Sequence, residues 1–243
     1  MTTTSPHNEL RIALAELLGT GALVLAIVGS GIAASRLSPS DVGLQLLENS
    51  IATGLALAVL ILVLLPVSGA HLNPVVTVFD TVSNRRDRRG FIRASTVIAA
   101  QVIGATGGAL LANVLFGVPA ALSSTDRGGA GVLLAEAVAT AGLVLVIAAL
   151  VRTGRSAHLP WAVAAYIVAA YWFTSSTSFA NPAVTIGRMF SDTFAGISPA
   201  SALPFIGVQL VGGAIGAALA LLLFPRSSAS RAHEHANPPS THP

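Results

Sequence analysis

Six long apolar stretches constrain the fold of this chain more than any other feature of its sequence. A helix needs about 20 mostly apolar residues to cross the hydrocarbon core of a bilayer. Only 9% of the residues are charged and 53% are hydrophobic, which is unusual for a water-soluble domain. The sequence therefore predicts an all-α membrane protein with six transmembrane helices, at residues 10–33, 49–67, 91–116, 129–151, 159–175 and 201–224.

The positions of the arginines indicate how the chain is oriented. All 13 basic residues are Arg, and ten of them lie on one side of the six-span arrangement. Only Arg36, Arg127 and Arg188 lie on the other side. Because Arg and Lys accumulate on the cytoplasmic side of a membrane, we expect a multi-pass protein of the inner cell membrane with both termini in the cytoplasm. A nucleic-acid partner is not expected, since it would need the basic residues together on one exposed face.

The two halves of the chain resemble each other, which indicates an internal repeat. The run Gln101-Val-Ile-Gly-Ala-Thr-Gly-Gly-Ala returns 108 positions later as Gln209-Leu-Val-Gly-Gly-Ala-Ile-Gly-Ala. Since each half has three spans, the second copy must be inverted, and inverted repeats place their working site at the midplane. We therefore predict an N-terminal tail at 1–9, a first repeat at 10–116, an extracellular connecting loop at 117–128, a second repeat at 129–224 and a disordered cytoplasmic tail at 225–243.

Two further helices are too short to span the membrane. They begin at Asn73-Pro74-Val75 and at Asn181-Pro182-Ala183, which also lie 108 positions apart. Asn is a preferred N-cap and Pro a preferred first helical residue, so we predict re-entrant half-helices at 73–83 and 181–190. Irregular backbone at membrane depth survives only where it lines a wet cavity or is buried in protein. The segments 69–72 and 177–180 are therefore expected to present carbonyl groups to a pore, and the predicted pore-lining residues of the first segment are Gly69, Ala70, His71 and Leu72.

Taken together, these features resemble the aquaporin superfamily over residues 10–224. Two Asn-Pro boxes at the repeat distance, each behind a span, are a highly specific signature. The resemblance implies that the half-helices meet at the bilayer centre, where their positive N-termini repel cations. It also implies that Asn73 and Asn181 cap their helices through oxygen and donate to the solute through nitrogen, which interrupts a proton wire. A homotetramer with one pore in each subunit is implied by the resemblance alone.

Glu16 and Glu136 are the acids that lie deep within predicted spans. An ionisable residue inside a membrane is a candidate functional residue, so a proton-coupled carrier is one interpretation. We favour the other, in which each glutamate accepts hydrogen bonds from the backbone of a re-entrant loop, as the matching residues do in the aquaporin superfamily. His71 is expected to line the cytoplasmic half of the pore and not to act as a general base.

The selectivity-filter positions depart from the water-channel pattern of this superfamily. Counted from the boxes, they fall on Thr53, Ala169, Ser178 and Val184. Typical water channels have a bulky aromatic residue, a His and an Arg here, and the Arg directly follows the second box. The hydroxyl, methyl and isopropyl groups of this chain instead predict a wider, uncharged constriction.

Arg188 lies one helical turn beyond Val184. It could partly replace the missing charge from the outer vestibule, or it could pair with Asp192 at the i+4 position. We favour the surface pair. Val75 replaces the usual Ala of the first box, and its bulk is expected to narrow the pore only slightly.

Val184 and the flanking runs Ser178-Phe-Ala-Asn-Pro-Ala-Val-Thr and Ser191-Asp-Thr-Phe-Ala-Gly-Ile resemble the bacterial aquaglyceroporin branch linked to arsenic resistance. That resemblance implies passive conduction of arsenite as neutral As(OH)3, and of methylated arsenicals, alongside polyols such as glycerol and some water. One alternative is a general glycerol and water aquaporin without an arsenic role. A proton-coupled secondary transporter is disfavoured, since the spans hold no cluster of Asp, Lys or Arg for a coupling ion.

Catalysis and cofactors are not expected. The spans contain no Ser/His pair, no His-Glu-x-x-His run and no pair of Asp residues. The chain has no Cys, which removes thiolate metal sites. His233, Glu234, His235 and His242 near the C-terminus could bind a metal weakly, but a solvated tail is the favoured interpretation.

Overall fold

The computed structural model describes residues 6–84 and 87–225, and these residues contain α-helices but no β-strand. This confirms the all-α fold. The helices are α1 (Pro6–Leu37), α2 (Val42–Ser68), α3 (Pro74–Ser83), α4 (Arg88–Phe116), α5 (Ala130–Arg152), α6 (Leu159–Phe173), α7 (Pro182–Arg188) and α8 (Pro199–Leu223). One turn of 3-10 helix, Ser156–His158, precedes α6.

Five of these helices, α1, α2, α4, α5 and α8, are long and apolar enough to cross a membrane. The sixth predicted span forms α6, which has only 15 residues and rises about 22 Å. The half-helices α3 and α7 are shorter still, with 10 and 7 residues.

The observed helices begin or end away from several predicted boundaries. α1 begins at Pro6, inside the segment expected to be a tail. α2 begins at Val42, because Asp41 caps it by accepting a hydrogen bond from the backbone N–H of Leu44 at 2.9 Å. α7 ends at Arg188, two residues before the predicted end of the half-helix. Apart from Pro225, the predicted disordered tail and its histidines lie outside the described residues.

Glycines bring the helices of each repeat into backbone contact. α1 packs on α4, and α5 packs on α8 in the other half. A Cβ placed on Gly104 or Gly108 would lie 2.1 Å from a carbonyl oxygen of α1, and one placed on Gly212 or Gly216 would lie 2.3 Å or 2.2 Å from a carbonyl oxygen of α5. Only glycine permits these approaches, which supply packing that lipid does not drive.

The long helices run between two faces of the molecule. The terminal face holds the start of α1 and the end of α8, and there Arg93 pairs with Glu9 across 3.6 Å. The loop face holds the connecting segment 117–129. There Arg36 donates to the carbonyl oxygen of Phe116 at 2.7 Å. Between the faces, many Leu and Val side chains point outward and are exposed, as expected for helices that contact lipid.

Candidate functional site

The two half-helices begin at the centre of the molecule, each capped by the asparagine of its own box. The Oδ1 atom of Asn73 accepts from the backbone N–H of Val75 at 2.9 Å. The Oδ1 atom of Asn181 accepts from that of Ala183 at 3.0 Å. Each cap satisfies a helix N–H group that has no acceptor within the helix.

The asparagine nitrogens join the two halves across the centre. Asn73 Nδ2 donates to the carbonyl oxygen of Ala180 at 2.7 Å, and Asn181 Nδ2 donates to that of Leu72 at the same distance. An amide nitrogen carries two hydrogens, so one N–H of each asparagine is used by the opposite loop and one remains for a solute. The Leu72 and Ala180 carbonyls each accept one of these bonds, and each oxygen keeps a second lone pair.

Both loops that precede the boxes contain residues in the left-handed region of the backbone. Ala70 and Leu72 have φ of 47° and 49°, and their counterparts Ser178 and Ala180 have φ of 49° and 47°. Side chains larger than glycine rarely adopt this conformation. The surrounding contacts must therefore hold the loops in place.

Glu16 supplies those contacts for the first loop. Its carboxylate accepts from the backbone N–H groups of His71 at 2.9 Å and Leu72 at 2.7 Å. Gln101 donates to the same carboxylate at 2.7 Å and to the Thr77 hydroxyl at 3.0 Å. The buried glutamate is thus fully engaged in holding the loop and α3, which is the structural arrangement favoured over proton coupling.

The second loop repeats this arrangement with the matching residues. Glu136 accepts from the backbone N–H groups of Phe179 and Ala180. Gln209 donates to Glu136 at 2.7 Å and to Thr185 at 2.9 Å. Each glutamate, glutamine and threonine of this set has its counterpart in the first half, so the repeat preserves the supports of both loops.

A cavity of about 310 Å³ passes the paired asparagines and receives side chains from both halves. Toward the loop face it is lined by Ile27, Thr53, Tyr171, Ser178, Phe179, Val184 and Arg188, and toward the terminal face by Leu57, Ile61, His71, Asp80, Leu143, Ile147 and Arg152. The wall is mostly apolar, with polar groups at the centre and near each end. Such a cavity suits small neutral solutes that exchange hydrogen bonds with water for a few bonds to the wall.

Three of the four predicted filter residues line this cavity, and the fourth does not. Thr53, Ser178 and Val184 belong to the wall. Ala169 was assigned wrongly, since it is exposed on the outer side of α6 and does not contact the cavity. Tyr171, two residues further along the helix, faces the cavity instead, and its hydroxyl lies 3.4 Å from the Thr53 hydroxyl.

The predicted surface pair between Arg188 and Asp192 is also wrong. Arg188 is only 2% exposed and lines the cavity. Its Nε donates to the carbonyl oxygen of Ala195, and its Cζ lies 3.5 Å from the centre of the Phe179 ring. Asp192 instead accepts from the backbone N–H of Ser124 at 2.8 Å and from its hydroxyl at 3.0 Å. The outer part of the cavity therefore contains a positive charge, contrary to the expected uncharged constriction.

The other predicted pore residues occupy different surroundings. Gly69, Ala70, His71 and Leu72 line the cavity. The His71 Nδ1 atom lies 3.2 Å from the Thr77 hydroxyl. Val75 lies away from the cavity, against Gly213 of α8, so its extra bulk does not narrow the passage.

The sequence interpretation missed Tyr171 and Phe179 as wall residues. A signal for Tyr171 was present, because Val163, Ile167 and Tyr171 recur every four residues and form the cavity-facing stripe of α6. Among the described residues, no cluster of His, Asp and Glu is arranged to hold a metal ion.

Comparison with known proteins places this architecture in a family. Residues 3–167 match the model of the major intrinsic proteins. The chain is 47% identical to the aquaglyceroporin AqpS of Rhizobium meliloti strain 1021, over 86% of this chain and 88% of that protein. It is 35% identical to the probable aquaporin NIP7-1 of Arabidopsis thaliana, over 59% of this chain and 50% of the relative.

A solved structure shares the fold. The aquaglyceroporin from Plasmodium falciparum superposes with a TM-score of 0.67 at 22% identity, covering 93% of this chain and 99% of that one. The fold is therefore the aquaporin fold. With its family match and its paired half-helices, the chain belongs to the major intrinsic proteins, a family of membrane channels and not of enzymes.

Proposed function

We propose that the chain is a passive channel for small uncharged solutes, namely glycerol and related polyols, arsenite as As(OH)3, methylated arsenicals and some water. The observation that carries this proposal is the cavity that passes both asparagines and is mostly apolar, with isolated polar groups. The 47% identity to a protein named as an aquaglyceroporin supports the polyols. The arsenical substrates rest on Val184 and its flanking sequence alone.

The wall chemistry supports neutral hydroxylated solutes. Such a solute loses part of its hydration on entry, and the amide nitrogens of Asn73 and Asn181 can each return one hydrogen bond. The aliphatic side chains between the polar positions can contact the C–H groups of a polyol. An ion loses far more hydration energy than these groups can return. Neutral solutes are therefore favoured over ions.

Each subunit contains its own cavity, so conduction does not require a site between subunits. We nevertheless propose a homotetramer in the inner cell membrane, with the terminal face in the cytoplasm. The excess of Arg toward the terminal face supports this orientation. Because the chain has no Cys, single cysteines introduced by A121C on the loop face and R155C on the terminal face can be labelled in intact cells. A membrane-impermeant maleimide is expected to modify only A121C.

The conduction experiment is stopped-flow light scattering of proteoliposomes exposed to gradients of sorbitol, glycerol or arsenite. Shrinkage in sorbitol reports water flow, and re-swelling in the other two solutes reports their entry. We expect rapid re-swelling in both, without saturation or dependence on a pH gradient. Saturable flux that follows a proton gradient would instead show a carrier.

A matched pair of variants tests whether the solutes use this cavity. Val184→Trp places a large ring in the cavity wall, whereas Val211→Trp makes the same change at an outward position that is 57% exposed. Glycerol and arsenite entry should fall to the protein-free level in the first variant and stay unchanged in the second. Equal rates in both variants would refute this pathway. Glycerol entry without arsenite entry would refute only the arsenical part of the proposal.

A further inference from the structure

The outer part of the cavity contains a charged side chain whose position does not follow from the box motif. Arg188 ends α7 and is 2% exposed. Its Nε donates to the Ala195 carbonyl, which fixes the guanidinium at the cavity wall. A guanidinium carries five N–H donors. The Nε bond to Ala195 uses only one of them.

The Phe179 ring supports this arginine from one side. The Cζ atom of Arg188 lies 3.5 Å from the ring centre, and that of Arg127 lies 5.1 Å from it. Arg127 is in turn held by the carbonyl oxygens of Gly196 at 2.7 Å and Phe194 at 3.0 Å. Unlike Arg188, Arg127 is not part of the cavity wall. The aromatic face and the carbonyl groups stabilise the cations without neutralising them.

A second polar group of the same wall has no partner. The Ser178 Oγ atom is buried and makes no hydrogen bond with any described residue, although Ser178 lines the cavity. A buried hydroxyl without a partner costs free energy. Rotation about the Cα–Cβ bond of Ser178 would turn this hydroxyl toward a solute oxygen in the cavity and remove that cost. Thr53 and Tyr171 line the same cavity, with their hydroxyls 3.4 Å apart.

We propose that Arg188 and Ser178 form an outer binding subsite for a neutral solute with several hydroxyl groups, in which Arg188 also excludes cations. The guanidinium donates to one solute oxygen, and the Ser178 hydroxyl bonds to another. A solute with fewer hydroxyls leaves one of these groups unpaired. The inference rests on the channel function proposed above and deepens it by assigning selectivity to these two side chains.

The same charge acts differently on ions. A cation that enters beside Arg188 loses hydration and meets a fixed positive charge in a region of low dielectric constant, where repulsion is stronger than in water. A neutral solute is not repelled. Removing the charge is therefore expected to increase cation leak by about tenfold or more, while keeping the charge in a different side chain preserves the barrier.

The test compares Arg188→Leu, Arg188→Gln, Arg188→Lys and Ser178→Ala with the unaltered chain in proteoliposomes. Two quantities are measured: the permeability ratio of glycerol to 1,2-propanediol, which has one hydroxyl fewer, and the leak of potassium ions. We expect the ratio to fall about threefold or more in Ser178→Ala and in both neutral Arg188 variants. Potassium leak should rise only in the neutral Arg188 variants and stay low in Arg188→Lys.

Arg36→Gln is the matched control, because it removes a cation of the loop face that lies outside the cavity wall. It should change neither quantity. If the unaltered chain passes glycerol but all four variants keep its ratio and its low leak, this inference fails and the channel function stands. If the unaltered chain passes no solute, both fail. Using two neutral replacements and Ser178→Ala keeps the test decisive if one variant does not fold.

Discussion

Replacing Gly108 by Ala should separate the two helices that the first repeat packs most closely. The added Cβ would lie 2.1 Å from the carbonyl oxygen of Gly21 and 2.9 Å from its carbonyl carbon. Non-bonded contacts of real Cβ atoms essentially never fall below 3.0 Å, so α1 and α4 must move apart by about 0.9 Å at this point. The neighbour is backbone and not a flexible side chain. It cannot rotate away.

That movement has a cost in stability and in function. Overpacking of a well-packed interface typically costs about 1–3 kcal/mol, and a backbone clash places this variant at the upper end of that range. The displacement also reaches the first loop, because Gln101 of α4 and Glu16 of α1 hold that loop together. We therefore expect a lower melting temperature and reduced water and glycerol permeability per channel.

Gly107→Ala is the matched control, since it is the same substitution one residue earlier in the same helix. Nothing lies within 4 Å of a Cβ at that position. It should leave the melting temperature unchanged or raise it slightly, because Ala has the higher helix propensity. The assay is thermal unfolding of detergent-solubilised protein, followed by stopped-flow measurements. Equal melting temperatures for the two variants would refute the claim that the glycine contact determines the α1–α4 distance.

Three further changes test other parts of the structure. Glu136→Leu leaves the N–H groups of Phe179 and Ala180 without their acceptor, which should cost roughly 2–5 kcal/mol of stability and lower the melting temperature. An unchanged melting temperature would show that the second loop keeps its conformation without Glu136. Val184→Arg adds a long cationic side chain to the cavity wall and should reduce glycerol permeability more than water permeability in stopped-flow experiments, whereas an unchanged solute spectrum would contradict the filter assignment. The backbone N–H and the hydroxyl group of Ser124 donate to Asp192 and lower the pKa of its carboxyl group below the ordinary 3.8. The stability that Asp192 contributes is therefore present above pH 3.8 and is lost as the pH falls through the lower pKa of the folded state. Asp192→Asn should therefore weaken the acid dependence of the melting temperature, and an identical pH profile would refute this role.

Features that depend on local chemistry could be predicted from the sequence. The Asn-Pro pairs specify helix starts through capping, and their repeat spacing identifies two equivalent half-helices. The glycine spacing likewise predicts a close helix contact. These inferences need only short-range geometry, which the residue types themselves determine.

Features that depend on the register of an irregular segment could not be predicted in the same way. The filter position in α6 was found by counting back from the second box across the irregular segment between Phe173 and Asn181, and the count gave Ala169, whereas Tyr171 faces the cavity. The expected pair between Arg188 and Asp192 assumed that α7 continues for another turn. Because α7 ends at Arg188, the two residues do not share a helix face, and the arginine turns into the cavity.

The inverted repeat also explains where selectivity can arise. Groups that hold the loops must match between the halves, and the glutamate, glutamine and threonine supports do match. The cavity wall is not under this constraint. At the repeat distance of 108 positions, His71 corresponds to Phe179 and Asp80 to Arg188, and all four line the cavity. Asp80 thus places a carboxyl group near one end of the cavity, whereas Arg188, which stacks on Phe179, places a guanidinium group near the other end. Because the loop supports match between the halves and these wall residues do not, the difference in charge between the two entrances comes from these substitutions.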